Sequence, residues 1–465
     1  MKQKTIILAV MAMLVTASAM AQVGFVGNNK SVFDEIPPTN TGLNHIYVLY
    51  NTGGVSMTYT ASTDRTVTWM GYGEQGGGAA EEITNVTRAG RVTTLQQVIP
   101  DHGYIIYEGT DPTYVWVTDY SKGYLQLNGL SAQNEDGDCG TVTLSVDGSG
   151  NDLVYYTILG VRRELNRQMV LEYKTLEWSD EDQEWQEVTE EEVQETFKST
   201  IAVPAPYHDT TFTLRGDRFL DFWGESISKT SDTYYTKAVD VRAVVVQEER
   251  DHQNEKKSEG GNTLGGSAPV HIVFTGKPTD AVVHKEWQMS RDSEFSDIEL
   301  RLNQDEVDEV FEESGLTYWR FVGSNDDGTC EAYSDVYTVN VGVSELYCPN
   351  VFSPGSTKDT NDVWMVSYKS IVDFECWIFN RWGQQVAHLT HPSQGWDGRY
   401  KGKLVSAGVY YYVIKARGSD GKPYNLSGDI NIIRYKSNPH TSGFDGGGND
   451  GGNEDGGENK GEIDD

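Results

Sequence analysis

Pro349-Asn350-Val351-Phe352-Ser353-Pro354 opens the stretch that decides the fold, and Asn361-Asp362-Val363-Trp364 follows it. Next come Cys376-Trp377-Ile378-Phe379-Asn380-Arg381-Trp382-Gly383, then Gly395-Trp396-Asp397-Gly398, then Ala407-Gly408-Val409-Tyr410-Tyr411-Tyr412. The stretch closes on Gly428-Asp429-Ile430-Asn431-Ile432-Ile433-Arg434. Residues 409–416 and 424–434 are rich in β-branched and aromatic side chains, which suit a pleated, half-buried surface. Between them stands Gly418-Ser419-Asp420-Gly421, whose Asp-Gly pair supplies the positive φ of a hairpin turn. Gly383 and Gly398 punctuate the other strands at tight bends, where a side chain would obstruct the backbone. The pattern predicts a small antiparallel β domain. Trp382 and Trp396 are expected in its core, with display to a partner as the alternative reading. Arg381 is the better recognition candidate, because an exposed guanidinium is a planar fork of donors and strand alternation sets it opposite Asn380.

The order Asn-x-Phe-Ser-Pro, Asn-Asp-x-Trp, Ile-Phe-Asn-Arg-Trp-Gly, Gly-Trp-Asp-Gly and Ala-Gly-Val-Tyr resembles the type B C-terminal sorting domain of the Bacteroidetes type IX secretion system. That module is also called the gliding-motility-associated C-terminal domain. The resemblance covers about 90 of the 465 residues. Its motif falls here on Asn350, Phe352, Pro354, Asn361, Asp362, Trp364, Phe379, Asn380, Arg381, Trp382, Gly383, Gly395, Trp396, Asp397, Gly398, Gly408 and Tyr410. Two departures stand out. The family's Asn-Gly-Asp-Gly run is replaced by Gly355-Ser356-Thr357-Lys358-Asp359, and 29 residues follow Lys436 where the family's chains normally end. The resemblance implies recognition by type IX outer-membrane components. It also admits a second kind of relative: periplasmic (PorA-like) sorting-domain proteins that signal secretion status to an envelope two-component sensor.

The amino terminus is read as a signal peptide over residues 1–21. Lys2 and Lys4 precede an apolar run over 6–15, and Ala19-Met20-Ala21 offers a small-residue cleavage site before Gln22. The run is too short for a stable membrane anchor, and no cysteine lies just after the expected cut to carry a lipid anchor. Export past the inner membrane is therefore expected, to the cell surface or medium, with the periplasm as the alternative. A formal net charge of −33 disfavours nucleic acid and anionic lipid as partners. Four cysteines occur, with no Cys-x-x-Cys pair to suggest zinc. Cys348 with Cys376 is the preferred disulfide, worth on the order of 3 kcal/mol if formed; free buried thiols are the other reading. Cys330 with Cys348 is disfavoured, because a strand between them would hold them roughly 30 Å apart at about 3.3 Å per residue.

The fold class predicted is all-β: tandem immunoglobulin-like β-sandwiches, a small C-terminal β-sandwich of the sorting type, and a disordered acidic tail. After a short lead over 22–38, short strands with turns every 8–12 residues or so place a first sandwich at 39–120. A second β unit is expected at 121–247. In it, residues 171–178 and 185–188 flank an acidic turn as a hairpin, and the run at 190–195 reads as a solvated connection, with a short helix as the alternative. Charge and paired glycines mark 248–267 as a flexible linker. The best immunoglobulin-like candidate is 268–343, with Trp287 as its core aromatic; it resembles the immunoglobulin-like repeats that precede such sorting domains. The sorting-type domain occupies 344–436, and 437–465 is expected to be disordered, having too little apolar surface to offset ordering entropy.

No catalytic arrangement stands out. The nine histidines include no His-Glu-x-x-His, and no Gly-x-Ser-x-Gly elbow occurs. His388 and His391 flank a turn rather than sharing a helix face. The glycine run at 76–78 lacks the Lys-Ser/Thr of a phosphate loop. Asp359-Thr360-Asn361-Asp362 and Asn325-Asp326-Asp327-Gly328 are oxygen-rich, but neither has the EF-hand spacing and both suit plain turns. The acidic tail forms no cage and offers calcium only diffuse, weak binding. No catalytic residue, metal or cofactor is assigned, the protein is read as a non-enzyme, and nothing in the sequence speaks to oligomeric state.

Overall fold

The computed structural model describes residues 22–27, 29–133, 137–256, 264–355 and 361–433. The expected signal peptide with Ala21, the tail over 437–465, and Asp359 with Thr360 lie outside the described residues. Nearly every described element is a strand; the one α-helix among them, Arg218–Phe222, is a single turn capped by the Asp217 carboxylate. The chain forms two compact units. One comprises Met1–Val246, Val273–Glu309 and Thr317–Thr338; the other comprises Gln247–Ile272, Val310–Leu316 and Val339–Asp465.

The first unit begins with a sandwich. A four-stranded sheet (Gln22–Val26, Ser56–Thr60, Val92–Leu95, Val86–Ala89) faces a six-stranded one built around His45–Leu49, Asp111–Asp119 and His102–Glu108. Leu49, Met57, Tyr59, Trp69, Tyr104 and Val117 fill the space between them. The lead expected over 22–38 is instead woven in. Gln22–Val26 pairs with Ser56–Thr60, Phe33–Glu35 pairs with His45–Leu49, and the Trp223 indole donates to the Ser31 carbonyl at 2.7 Å.

The break expected at residue 120 is not a break in packing. Ile46, Val48, Ile105 and Trp116, on the far face of the six-stranded sheet, join one buried cluster with Leu144, Leu171, Phe212 and Phe219. A strand covered on both faces reads as a continuous apolar run rather than an alternating one, and Ile46-Tyr47-Val48-Leu49 is such a run. Beyond it, Met169–Ser179 and Glu184–Gln194, eleven residues each, pair along their whole length as one hairpin. The expected hairpin is therefore present but longer, and the run at 190–194 is strand rather than solvated connection.

The third module places Trp287 at the core, fully buried, with Phe274 and Phe321 ring centroids 5.3 and 5.2 Å away. Its indole donates to the Asp305 carbonyl at 3.1 Å. Cys330 of this module is bonded to Cys139, 191 residues earlier, with Cα atoms 5.7 Å apart. That corrects the preferred pairing: Cys348 and Cys376 are free thiols. In the chain-entropy account, a loop of this length contributes about 5 kcal/mol.

In the second unit, a five-stranded sheet runs Val351–Phe352, Pro423–Ile432, Gly408–Gly418, Ile371–Phe379, Gln385–Leu389. The Gly408–Gly418 and Pro423–Ile432 hairpin turns at Gly421, with φ 72°. Trp364, Tyr368, Phe374, Ile378, Trp396, Ile414 and Ile430 form the core on one face. The linker expected over 248–267 is docked here wherever it is described. Asn254 donates its side-chain amide to the carbonyls of Val366 (2.7 Å) and Pro392 (2.8 Å). Glu255 makes a parallel bridge with Tyr368, and Leu264–Gly266 pairs in parallel with residues 339–341. Backbone amides and carbonyls that would otherwise need water are paired in this way, which a sequence rich in charge and glycine does not reveal.

Candidate functional site

The five sequence blocks of the C-terminal domain separate into a buried group and a displayed one. Trp396 is 3% exposed and packs on Phe352 at 5.4 Å and Tyr410 at 5.2 Å. Its indole donates to the Arg399 carbonyl at 3.1 Å, while Asp397 caps the turn by accepting from the Arg399 amide at 3.0 Å. Trp364 is fully buried, pairs its backbone with that of Trp396, and donates its indole to the Pro349 carbonyl at 2.6 Å. The Asn350 carbonyl accepts from the Asn431 amide at 2.8 Å, and that of Asn361 from the Ser353 amide at 2.8 Å. Asp362 is half-buried in the same loop, and the Tyr410 hydroxyl donates to the Ser406 carbonyl at 3.1 Å.

Two glycines are required by this packing. Gly398 has φ 72°, and a Cβ there would stand 2.8 Å from the buried Pro354 ring. At Gly395 a Cβ would lie 2.4 Å from Val363 and 2.5 Å from Met365. Four blocks, from Asn350 to Pro354, Asn361 to Trp364, Gly395 to Gly398 and Gly408 to Tyr410, thus describe one plug at the edge of the sheet.

The fifth block is a turn that faces outward. Ile371–Phe379 runs into residues 380–384 and returns as Gln385–Leu389. Asn380 holds the turn: its side-chain oxygen accepts from the amides of Trp382 (3.0 Å) and Gln384 (3.1 Å), and its carbonyl accepts from Gly383 (2.9 Å). Gly383 supplies φ 77°. Gln384 donates to the Tyr400 hydroxyl at 3.1 Å and ties the turn to the neighbouring loop. Trp382 is 75% exposed, which corrects the expectation that it joins the core. The Arg381 guanidinium lies over its ring at 4.3 Å. Asn380 and Arg381 belong to the turn rather than to a strand, so it is the turn that aims the guanidinium.

The outer face of the sheet continues from this turn. Half-buried Phe379 stands opposite exposed Tyr411, and Trp377 opposite Val413. Trp377 stacks on His388 at 5.4 Å with ring planes 8° apart, and His388 bonds to Glu375. His391 turns elsewhere, to the Ser393 hydroxyl at 2.7 Å and to the His252 ring; burial, then the His252 and Arg250 charges, lower its pKa. The two histidines thus share no ligand site, and among the described residues no three His, Cys, Asp or Glu side chains are grouped to hold a metal. In the core, burial and then the neighbouring Cys348 push the Cys376 thiol up to about 12. Asn325-Asp326-Asp327-Gly328 is a turn whose Asp327 carboxylate accepts from the Thr329 amide and hydroxyl, which holds its pKa down at about 2.

The profile of the CHU_C type IX secretion signal domain matches residues 346–431. Residues 346–431 are a type IX secretion signal domain. Such a signal implies export of the chain that carries it. No helix among the described residues is long and apolar enough to cross a membrane. Upstream of the secretion signal domain, residues 131–231 match the fibronectin type III domain. That match lies within the β unit expected at 121–247, while the immunoglobulin-like resemblance in the sequence fell on 268–343. No curated protein matches the chain. A crystal structure of a tetra-tandem repeat in the extending region of a large adhesion protein is 12% identical, covers 83% of this chain and 96% of its own, and has a TM-score of 0.21. Three N-terminal domains of the bacteriophage RB49 highly immunogenic outer capsid protein are 10% identical, covering 66% and 99%, with a TM-score of 0.21.

Proposed function

We propose that this is a non-enzymatic exported envelope protein. In this reading the type IX machinery reads its secretion signal domain through the turn at residues 380–384. The preceding β modules are the cargo that adheres or gives structural support at the cell surface. The observation that carries the reading is the exposure of Arg381 and Trp382 on a turn locked by Asn380, in a domain whose motif aromatics Phe352, Trp364, Trp396 and Tyr410 are buried in its own core. Buried motif residues shape the domain but offer a partner little surface. Tryptophan and arginine are the residue types that dominate protein–protein hot spots, and a rigid turn lowers the ordering cost of binding. The partner proposed is an outer-membrane component of the secretion system, and no metal or cofactor is needed for the recognition.

The test is cell fractionation with an antibody to residues 268–343, in a strain with an intact type IX system and in a matched strain lacking it. Surface or medium signal that disappears from the defective strain is the expected result. Signal confined to the periplasm in both strains would reject export and turn the domain into a ligand for an envelope sensor. In the intact strain, the Arg381→Ala, Trp382→Ala double variant is expected to accumulate in the periplasm in folded form.

A further inference from the structure

A polar cleft opens in the first compact unit, where the tip of the 169–194 hairpin meets the third module. Trp178, Asp180 and Gln183 line one wall, and Arg242, Asp335 and Tyr337 the other. The two walls are fixed relative to each other. Trp185, on the same hairpin, donates its indole to the Lys277 carbonyl at 2.9 Å, and Glu184 pairs with Lys277 at 3.8 Å. His208 meets Asp280 at 2.6 Å, and the Cys139–Cys330 bond joins the same two modules covalently. The cleft is therefore preformed, at the kind of module junction where ligand sites concentrate.

Its chemistry is selective. Trp178 is held by an edge-to-face contact with Trp185 at 5.5 Å and by its own indole donating to Asp180 at 3.0 Å. The ring is half-buried and its orientation is set before anything binds. The Tyr337 hydroxyl donates to the Ala243 carbonyl at 2.7 Å. Burial raises the Tyr337 pKa, Asp335 adds to the rise and Arg242 opposes it, so both charges face the same small space. Carboxylates only accept, a guanidinium only donates, and an amide does both. That mixture matches a ligand whose groups each donate and accept, while the flat indole matches an apolar ring face. Two carboxylates against one guanidinium disfavour an anion, and the chain's net charge of −33 reinforces this. At about 190 Å3 the cleft is smaller than the roughly 300–1,000 Å3 of sites for drug-sized molecules.

We propose that this cleft binds a neutral saccharide, one ring stacked on Trp178 with its hydroxyls held by Asp180, Gln183, Arg242 and Asp335. The proposal deepens the reading of the β modules as adhesive cargo and rests on it. The test is retention of the purified, labelled protein on an array of neutral glycans (glucan, xylan, mannan and galactan fragments), with sulfated and uronic-acid glycans alongside. Retention on at least one neutral glycan, lowered tenfold or more by Trp178→Ala and by Asp335→Asn, is expected. Asp335 is exposed, so its variant keeps the parent's melting temperature and carries the test even if Trp178→Ala loosens the hairpin. Retention unchanged in Asp335→Asn, preference for the charged glycans, or no retention on any glycan overturns the proposal. The assay uses purified protein, so its outcome is independent of whether the chain is exported in cells.

Discussion

The turns that carry Trp396 and Trp382 look alike in sequence, each a tryptophan with glycine on one side and a charged residue on the other, yet they do opposite things. The first folds its indole inward onto Phe352 and Tyr410 and hydrogen-bonds its nitrogen to the next residues of its own loop. The second leaves its ring 75% exposed, with Arg381 laid across it. The difference lies in what stands beneath each turn. Residues 395–398 pass over the sheet edge, where Trp364 and Pro354 present apolar surface. Residues 380–384 cap a hairpin that overhangs the sheet, held by the Asn380 side chain rather than by packing. One tryptophan specifies the fold, and the other stays displayed.

The contrast is open to direct attack. Trp396→Ala should cost roughly 3–5 kcal/mol, the usual loss for a large core aromatic, seen as a lower denaturation midpoint of the full chain's C-terminal transition. A loss under about 1 kcal/mol would mean that the plug is not a core. Gly398→Ala should cost about 1–3 kcal/mol, because alanine resists φ 72° and its methyl meets Pro354. The same substitution at Gly383, also left-handed but with nothing within 4 Å of a Cβ, should cost only the backbone share of that. Asn380→Ala should cost about 1 kcal/mol through its lost turn bonds and should lower export beyond what that loss of stability explains. Trp382→Ala should change stability by no more than about 0.5 kcal/mol while secretion falls. Unchanged secretion would detach recognition from this turn.

The last test leaves stability untouched and asks how dry the core is. With its thiol pushed up to about 12, Cys376 carries a thiolate fraction of only about one in ten thousand at pH 8. Iodoacetamide should therefore spare it in the folded protein and modify it after unfolding, as read by peptide mass spectrometry. A Cys348–Cys376 disulfide peptide would contradict the structure.

Much of the C-terminal domain was legible because its blocks report strand pairing and turn chemistry, both local properties. The Gly408–Gly418 and Pro423–Ile432 hairpin follows from an Asp-Gly turn between β-rich runs. The opposite fates of Trp382 and Trp396 were not legible, since glycine on one side of a tryptophan does not say which surface lies beneath it. The Cys139–Cys330 pairing was hidden for a similar reason. Partners 191 residues apart are joined by module packing that no short spacing encodes. The docked segment around Asn254 shows the converse error: polar composition suggested a free linker, while its side-chain amide was committed to two carbonyls. In the first unit, the buried run at Ile46-Tyr47-Val48-Leu49 held the clue to a sheet covered on both faces, in the absence of alternation rather than in any motif.

The Cys139–Cys330 bond also marks how far along the chain synthesis has reached. A product that stops between the end of the second module and Cys330 holds Cys139 without its partner, a half-buried thiol on a module that has otherwise reached its end. Oxidised molecules carry no free thiol there, so a reagent that labels Cys139 has found a chain that ends before Cys330 or one whose bond is reduced, whereas a chain nicked between the two cysteines stays joined. The same bond that stiffens the junction thus reports that the chain has passed Cys330.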